Sequence, residues 1–70
     1  MNISARNRLK GKVVHVKKGA VAAQVEVDIG GGNRVTSTIT VTSVEELGIE
    51  VGKEVYAVIK ASDVMIGVEH

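Results

Sequence analysis

Residues 21–29 carry the clearest alternation in the chain, with Val21, Ala23, Val25, Val27 and Ile29 in one phase and Gln24, Glu26 and Asp28 in the other. Successive side chains of a strand point to opposite faces, so this period of two predicts a strand with one buried face. Residues 8–18 predict a strand before it, in which Leu9, Gly11 and Val13 alternate with Arg8, Lys10 and Lys12 until Val14-His15-Val16 blurs the period. Lys17-Lys18-Gly19 turns the chain between the two. Downstream, Gly30-Gly31-Gly32-Asn33 can supply the positive φ angles of a reversal. Residues 34–41 then resume the alternation, Val35, Ile39 and Val41 against Thr36, Thr38 and Thr40. The pattern is that of two consecutive hairpins.

Ser43 precedes Val44-Glu45-Glu46-Leu47 and Gly48, which reads as a capping box with Ser43 as N-cap, Glu46 three residues on and a glycine stop. A single helical turn fits. Val51-Gly52-Lys53 makes a further turn, residues 54–59 are rich in β-branched types and end at Lys60-Ala61-Ser62, and residues 64–68 predict a last short strand. The expected fold is therefore all-β: five strands with one short helical turn between the third and fourth, an arrangement that resembles the five-stranded Greek-key barrel of the OB-fold. No linker, repeat or low-complexity stretch divides it, and a single domain over residues 1–70 is expected.

Size changes this picture. At 70 residues a single hydrophobic core rarely supplies more than about 3–5 kcal/mol, and small domains usually add disulfides, a metal or a partner. The chain has no cysteine, its only histidines are His15 and His70, and Tyr56 is its only aromatic residue. The apolar positions are almost all Val, Ile and Ala, so self-association is the remaining source of stability. The absence of cysteine excludes a disulfide-stabilised secreted scaffold. No apolar run approaches a membrane span, and Met1-Asn2-Ile3-Ser4 lacks the apolar region of a signal peptide, so the cytoplasm is the expected location and no membrane partner is expected.

Chemistry is bounded first by what is missing. No nucleophile sits beside a base, no carboxylate pair stands out, and His15 alone makes no metal site, so no enzymatic activity is expected. Glu26 and Asp28 lie on the polar phase of a strand beside lysine-rich segments, where cross-strand pairing in solvent accounts for them. The glycines at 30–32 lack the Gly-Lys-Ser/Thr continuation and the helix of a phosphate loop. Nucleic acid is a common OB-fold ligand, but stacking needs aromatic platforms and only Tyr56 is available. The basic run Arg8-Leu9-Lys10-Gly11-Lys12 keeps a nucleic-acid module as a further reading, against a net charge of only +1.

Hydroxyls, basic side chains and small residues gather at three places: Ser4-Ala5-Arg6-Asn7 before the first strand, Thr40-Val41-Thr42-Ser43 after the third, and Lys60-Ala61-Ser62 after the fourth. Small residues admit backbone N–H groups close to a ligand, Ser and Thr donate protons, and Lys or Arg neutralises charge. Together they would form a donor-only anion pocket. A loose N-terminus, a helix cap and a solvated lysine explain the same residues, and local chemistry does not decide between the two.

Ser4-Ala5-Arg6-Asn7 with Leu9, Gly11 and Val13 resembles the opening motif of the molbindins, the small stand-alone Mop proteins with a TOBE-type domain. The resemblance continues through Thr38-Ile39-Thr40, Ser43-Val44-Glu45-Glu46-Leu47-Gly48, Val51-Gly52-Lys53-Glu54-Val55 and Ile59-Lys60-Ala61-Ser62-Asp63-Val64-Met65, which is essentially the whole chain. The Gly-Lys-Glu-Val and Lys-Ala-Ser pieces also occur in domains appended to transporter ATPases and molybdate-responsive regulators. The resemblance implies an OB-like fold whose strands exchange between subunits of a dimer, three dimers forming a hexamer, with molybdate or tungstate bound between chains and no other cofactor. It implies one oxyanion site from Ser4, Ala5, Arg6, Lys60, Ala61 and Ser62, with Thr40 and Ser43 contributed across an interface. A second site is expected around Lys18, Gly19, Ala20 and Val21, where a hairpin turn explains the residues equally well. Intracellular storage of molybdate is the function implied, with a sensing partner of a transporter as the alternative.

Overall fold

The computed structural model describes residues 4–69; residues 1–3, read above against a signal peptide, and His70 lie outside them. Four strands are described: β1 (Asn7–Lys18), β2 (Ala22–Gly30), β3 (Asn33–Thr40) and β4 (Glu54–Ile59), with a short helix α1 (Val41–Leu47) between β3 and β4. All neighbours are antiparallel in the order β3-β2-β1-β4. The long first strand serves two partners. Its N-terminal half pairs with β4, from Asn7 opposite Ile59 to Lys12 opposite Glu54, and its C-terminal half with β2, from Lys12 opposite Asp28 to Lys18 opposite Ala23.

The alternating face expected of residues 21–29 is the one the sheet buries. Ala23, Val25 and Val27 are buried, Ile29 packs against them, and Val21 falls just outside the strand and is exposed. The blur at Val14-His15-Val16 has a geometric cause: Val13 pairs with Val27 while His15 pairs with Glu26, so Val14 is the extra residue of a β-bulge. One inserted residue shifts the inward phase from Val13 to Val16, which packs against the core. Gly11 has a reason of its own. A Cβ there would lie 2.5 Å from the Asp28 carbonyl oxygen and 2.7 Å from Val27 Cγ1, so only glycine lets β1 pass this close to β2.

Gly31 and Gly32 hold φ of 63° and 79°, which suits a two-residue hairpin turn that needs positive φ at both central positions. The Gly30 N–H donates to Asp28 Oδ1 at 2.8 Å, an Asx contact that fixes the approach to the turn. The helix begins earlier than the capping-box reading places it. Thr40, not Ser43, is the N-cap, and its Oγ1 accepts the Ser43 N–H at 3.0 Å. Two hydroxyl residues three apart compete for the cap, and the one at the end of the strand is the extended residue that a cap requires. Gly48 closes the helix in the left-handed conformation, with Gly48 N–H donating to the Glu45 carbonyl and Ile49 N–H to the Val44 carbonyl, the paired bonds of a Schellman stop.

The core is small. Val13, Ala23, Val25, Val27 and Val44 are the buried hydrophobic residues among those described, with Val44 of α1 laid onto the sheet. Fully burying a valine contributes about 1.5–3 kcal/mol, and only four valines do so. Between β3 and β4 the curled sheet leaves an open apolar cavity of about 370 Å³, lined by Val35 and Ile39 on one side and Val55, Ala57 and Ile59 on the other. The fifth strand expected at residues 64–68 is not formed. A strand needs a ladder partner, and these residues run without regular structure, with Met65 92%, Ile66 88% and Val68 75% exposed.

Candidate functional site

The residues singled out from sequence fall into two clusters. Ser4, Ala5 and Arg6 lead into β1, and Lys60, Ala61 and Ser62 follow β4, the last two in a 3-10 turn, Ala61–Asp63. Because Asn7 and Ile59 are the end pair of the β1–β4 ladder, both segments leave the sheet at the same point. Arg6 and Lys60 are exposed there and Ala5 is half-buried. The Asn7 side-chain Nδ2 donates to the Ile59 carbonyl at 3.2 Å, reinforcing the last residue pair of the ladder. The Lys60 carbonyl accepts the Asp63 N–H at 2.9 Å, and Lys60 itself is extended, with φ −63° and ψ 140°.

Thr40 and Ser43 lie at the other end of the sheet. Thr40 pairs with Ala22, and the neighbouring Ala23 pairs with Lys18 at the end of β1. Beyond capping α1, the Thr40 hydroxyl donates to Ser43 Oγ at 2.8 Å. Lys18, Gly19, Ala20 and Val21 form the β1–β2 connection at this same end. The Gly19 N–H donates to the Ala22 carbonyl and the Val21 carbonyl accepts the Val41 N–H, each at 2.8 Å. The turn reading of Lys18-Gly19 thus accounts for one of the donors, and the connection is tied to the start of α1.

β1 separates the clusters. From the first to the last of its 12 residues are eleven steps, about 36 Å of extended chain at roughly 3.3 Å per step, in a molecule whose longest dimension is 38 Å. Each cluster offers hydroxyls, basic side chains and small residues, and neither contains a nucleophile–base pair. Among the described residues no group of three or more His, Cys, Asp or Glu could hold a metal ion, and no helix is long and apolar enough to cross a membrane. Asn7 belongs to the opening motif, and its contact joins positions 52 apart, a separation that no local pattern in the sequence reveals.

Comparison with known proteins agrees with this architecture. The family model described as the TOBE domain matches residues 3–66. A probable molybdenum-pterin-binding protein of Haemophilus influenzae is 61% identical over 69 residues, covering 99% of this chain and all of that one. Among solved structures, MopII from Clostridium pasteurianum superposes with a TM-score of 0.89 at 58% identity, over 96% of this chain and all of that one. A molybdate-bound form of the cytoplasmic molybdate-binding protein ModG gives 0.92 at 45% identity, over 99% of this chain and 49% of that longer one. With its sequence matched almost end to end and its sheet and helix superposed on these structures, the chain belongs to the TOBE-domain family, as one of its Mop-type molbindins.

Proposed function

We propose that this protein binds molybdate, or tungstate of nearly the same size, reversibly at interfaces between its own copies, as an intracellular store of the oxyanion. The observation that carries the reading is the partition of donor residues to opposite ends of β1. Ser4, Ala5, Arg6, Lys60, Ala61 and Ser62 lie at one end of that strand and Thr40 and Ser43 at the other, and a pocket combining them would draw its two halves from two chains. The relatives named for molybdenum and the molybdate-bound ModG support the choice of ligand. Those names also mention a pterin, a planar ring that would have only Tyr56 to stack on. The inorganic oxyanion is the better match to the residues.

Molybdate is a fully deprotonated dianion at neutral pH and accepts hydrogen bonds on every side. Phosphate keeps a proton near pH 7, and these residues offer it no carboxylate, only hydroxyl oxygens that would have to turn their own protons away from the anion, so phosphate is the poorer match. A second oxyanion site at Lys18, Gly19, Ala20 and Val21 would draw on N–H groups other than that of Gly19, which is engaged within the turn. The assembly that accompanies this reading is strand-exchanged, with residues 64–68 of one copy in the apolar cavity of another, and three such dimers forming a hexamer. The small core, the open cavity and the exposed apolar tail support it.

The test is calorimetric titration of the full chain with molybdate, with phosphate as competitor and sedimentation on the same samples. Tight molybdate binding by an oligomer, undisturbed by equal phosphate, is expected. A folded monomer at micromolar concentration, or displacement of molybdate by phosphate, would overturn the interfacial carboxylate-free site.

A further inference from the structure

From the hydrogen bonds that surround Lys60 we infer that Asn7 is a positioning residue of the oxyanion site, acting by holding the peptide group on the N-terminal side of Lys60 while Asp63 holds the one that follows. The inference rests on the site reading above and deepens it. The peptide joining Ile59 to Lys60 is held through its carbonyl by Asn7 Nδ2 at 3.2 Å. The peptide joining Lys60 to Ala61 is held through its carbonyl by the Asp63 N–H at 2.9 Å. Both peptides are trans, and in a trans peptide the N–H points opposite to the carbonyl. Tying back each carbonyl fixes the N–H across its own peptide: that of Lys60 points away from Asn7, and that of Ala61 away from the Asp63 N–H, in different directions because Lys60 is extended.

Two consequences suit a dianion. The Ile59 and Lys60 carbonyl oxygens, which would repel it, are occupied by hydrogen bonds, and the directions of the Lys60 and Ala61 N–H groups are set before it arrives. Preorganised donors bind an anion more tightly than donors that must be ordered on binding. Asn7 contributes from β1 what the 3-10 turn cannot provide for itself, because that turn begins only at Ala61. It also fastens residues 4–6 beside residues 60–62. The amide is half-buried at the sheet end, not exposed among the basic side chains, which fits an indirect role.

The experiment is molybdate calorimetry on wild type, Asn7→Ala, Lys60→Ala and the double variant, with sedimentation and apo melting on each. Loss of one neutral hydrogen bond is expected to weaken binding about three- to tenfold in Asn7→Ala, with unchanged mass, an apo melting temperature lower by a few degrees and partial recovery of both affinity and melting temperature in Asn7→Gln. Because Asn7 acts through the Lys60 segment, its effect should shrink in the Lys60→Ala background, a non-additivity that a general structural role does not produce. Wild-type affinity in Asn7→Ala while Lys60→Ala binds weakly overturns the positioning role and leaves the site standing. Wild-type affinity in Lys60→Ala removes the site and the inference together. Should Asn7→Ala fail to assemble, amide hydrogen exchange of the wild-type protein decides: molybdate should slow exchange at Lys60 and Ala61, and unchanged exchange there overturns the inference.

Discussion

At the Thr40 end of β1 the candidate hydroxyls are already at work in the free chain, one capping α1 and bonded to the other, with the β1–β2 connection tied to the helix through Val21 and Val41. At the Arg6 and Lys60 end the charged side chains stand exposed, and it is the backbone beneath them that is held, by Asn7 and by Asp63. The contrast teaches that residue types suited to one ligand can be supported in two ways. A hydroxyl that also caps a helix belongs to the fold before any ligand arrives. An exposed lysine on a fixed peptide contributes almost nothing to the fold.

The sharpest break of that contrast is Lys60→Ala. If the ammonium makes a charge-assisted hydrogen bond to the bound dianion, its loss should cost about 1.5–3 kcal/mol per site, one to two decades in molybdate affinity. Apo stability should move by no more than about 0.5 kcal/mol. Titration and apo melting on one preparation check both halves of this expectation. Next comes the strand that joins the ends. Gly11→Ala places a Cβ against the Asp28 backbone and should destabilise the fold by about 1–3 kcal/mol, read as a lower urea midpoint with or without molybdate.

Thr40→Ala sharpens the comparison from the opposite side. Loss of the cap should lower apo stability by about 1 kcal/mol, within the 0.5–2 kcal/mol range of such caps. An unchanged denaturation midpoint would show that Ser43 takes over as the cap. The smallest effect is expected between the ends, at the surface pair of Arg34 and Glu26, whose atoms lie 3.5 Å apart. Glu26→Gln should change stability by less than about 1 kcal/mol, and any loss should vanish in high salt.

The strands were legible wherever one face alternates, as at residues 21–29, and β4 has the boundaries that its β-branched run suggests. Legibility failed where the cause is not local. The bulge at Val14 cancels the alternation of β1 because one residue has no partner on β2. The tail at residues 64–68 has strand composition without a ladder partner in its own chain. At the candidate site, residue type and spacing left open both an anion pocket and a loose end, helix cap and solvated lysine, and the resemblance to the molbindins alone pointed to the pocket. The division of these residues into two clusters was not legible, because it follows from sheet order. Nor was the role inferred for Asn7, whose acceptor lies on another strand.

The exposed tail also sets a clock. In the proposed assembly a newly made chain is incomplete until it meets a copy, and typical association constants of about 10⁵–10⁷ M⁻¹s⁻¹ put that meeting at roughly 0.1–10 s for micromolar chains. Throughout that interval Met65, Ile66 and Val68 and the free edges of β3 and β4 are open to any other unpaired strand. Dilution lengthens the interval in proportion. Low expression is then a hazard to quality as well as to quantity, and neighbouring synthesis of several copies is a form of protection.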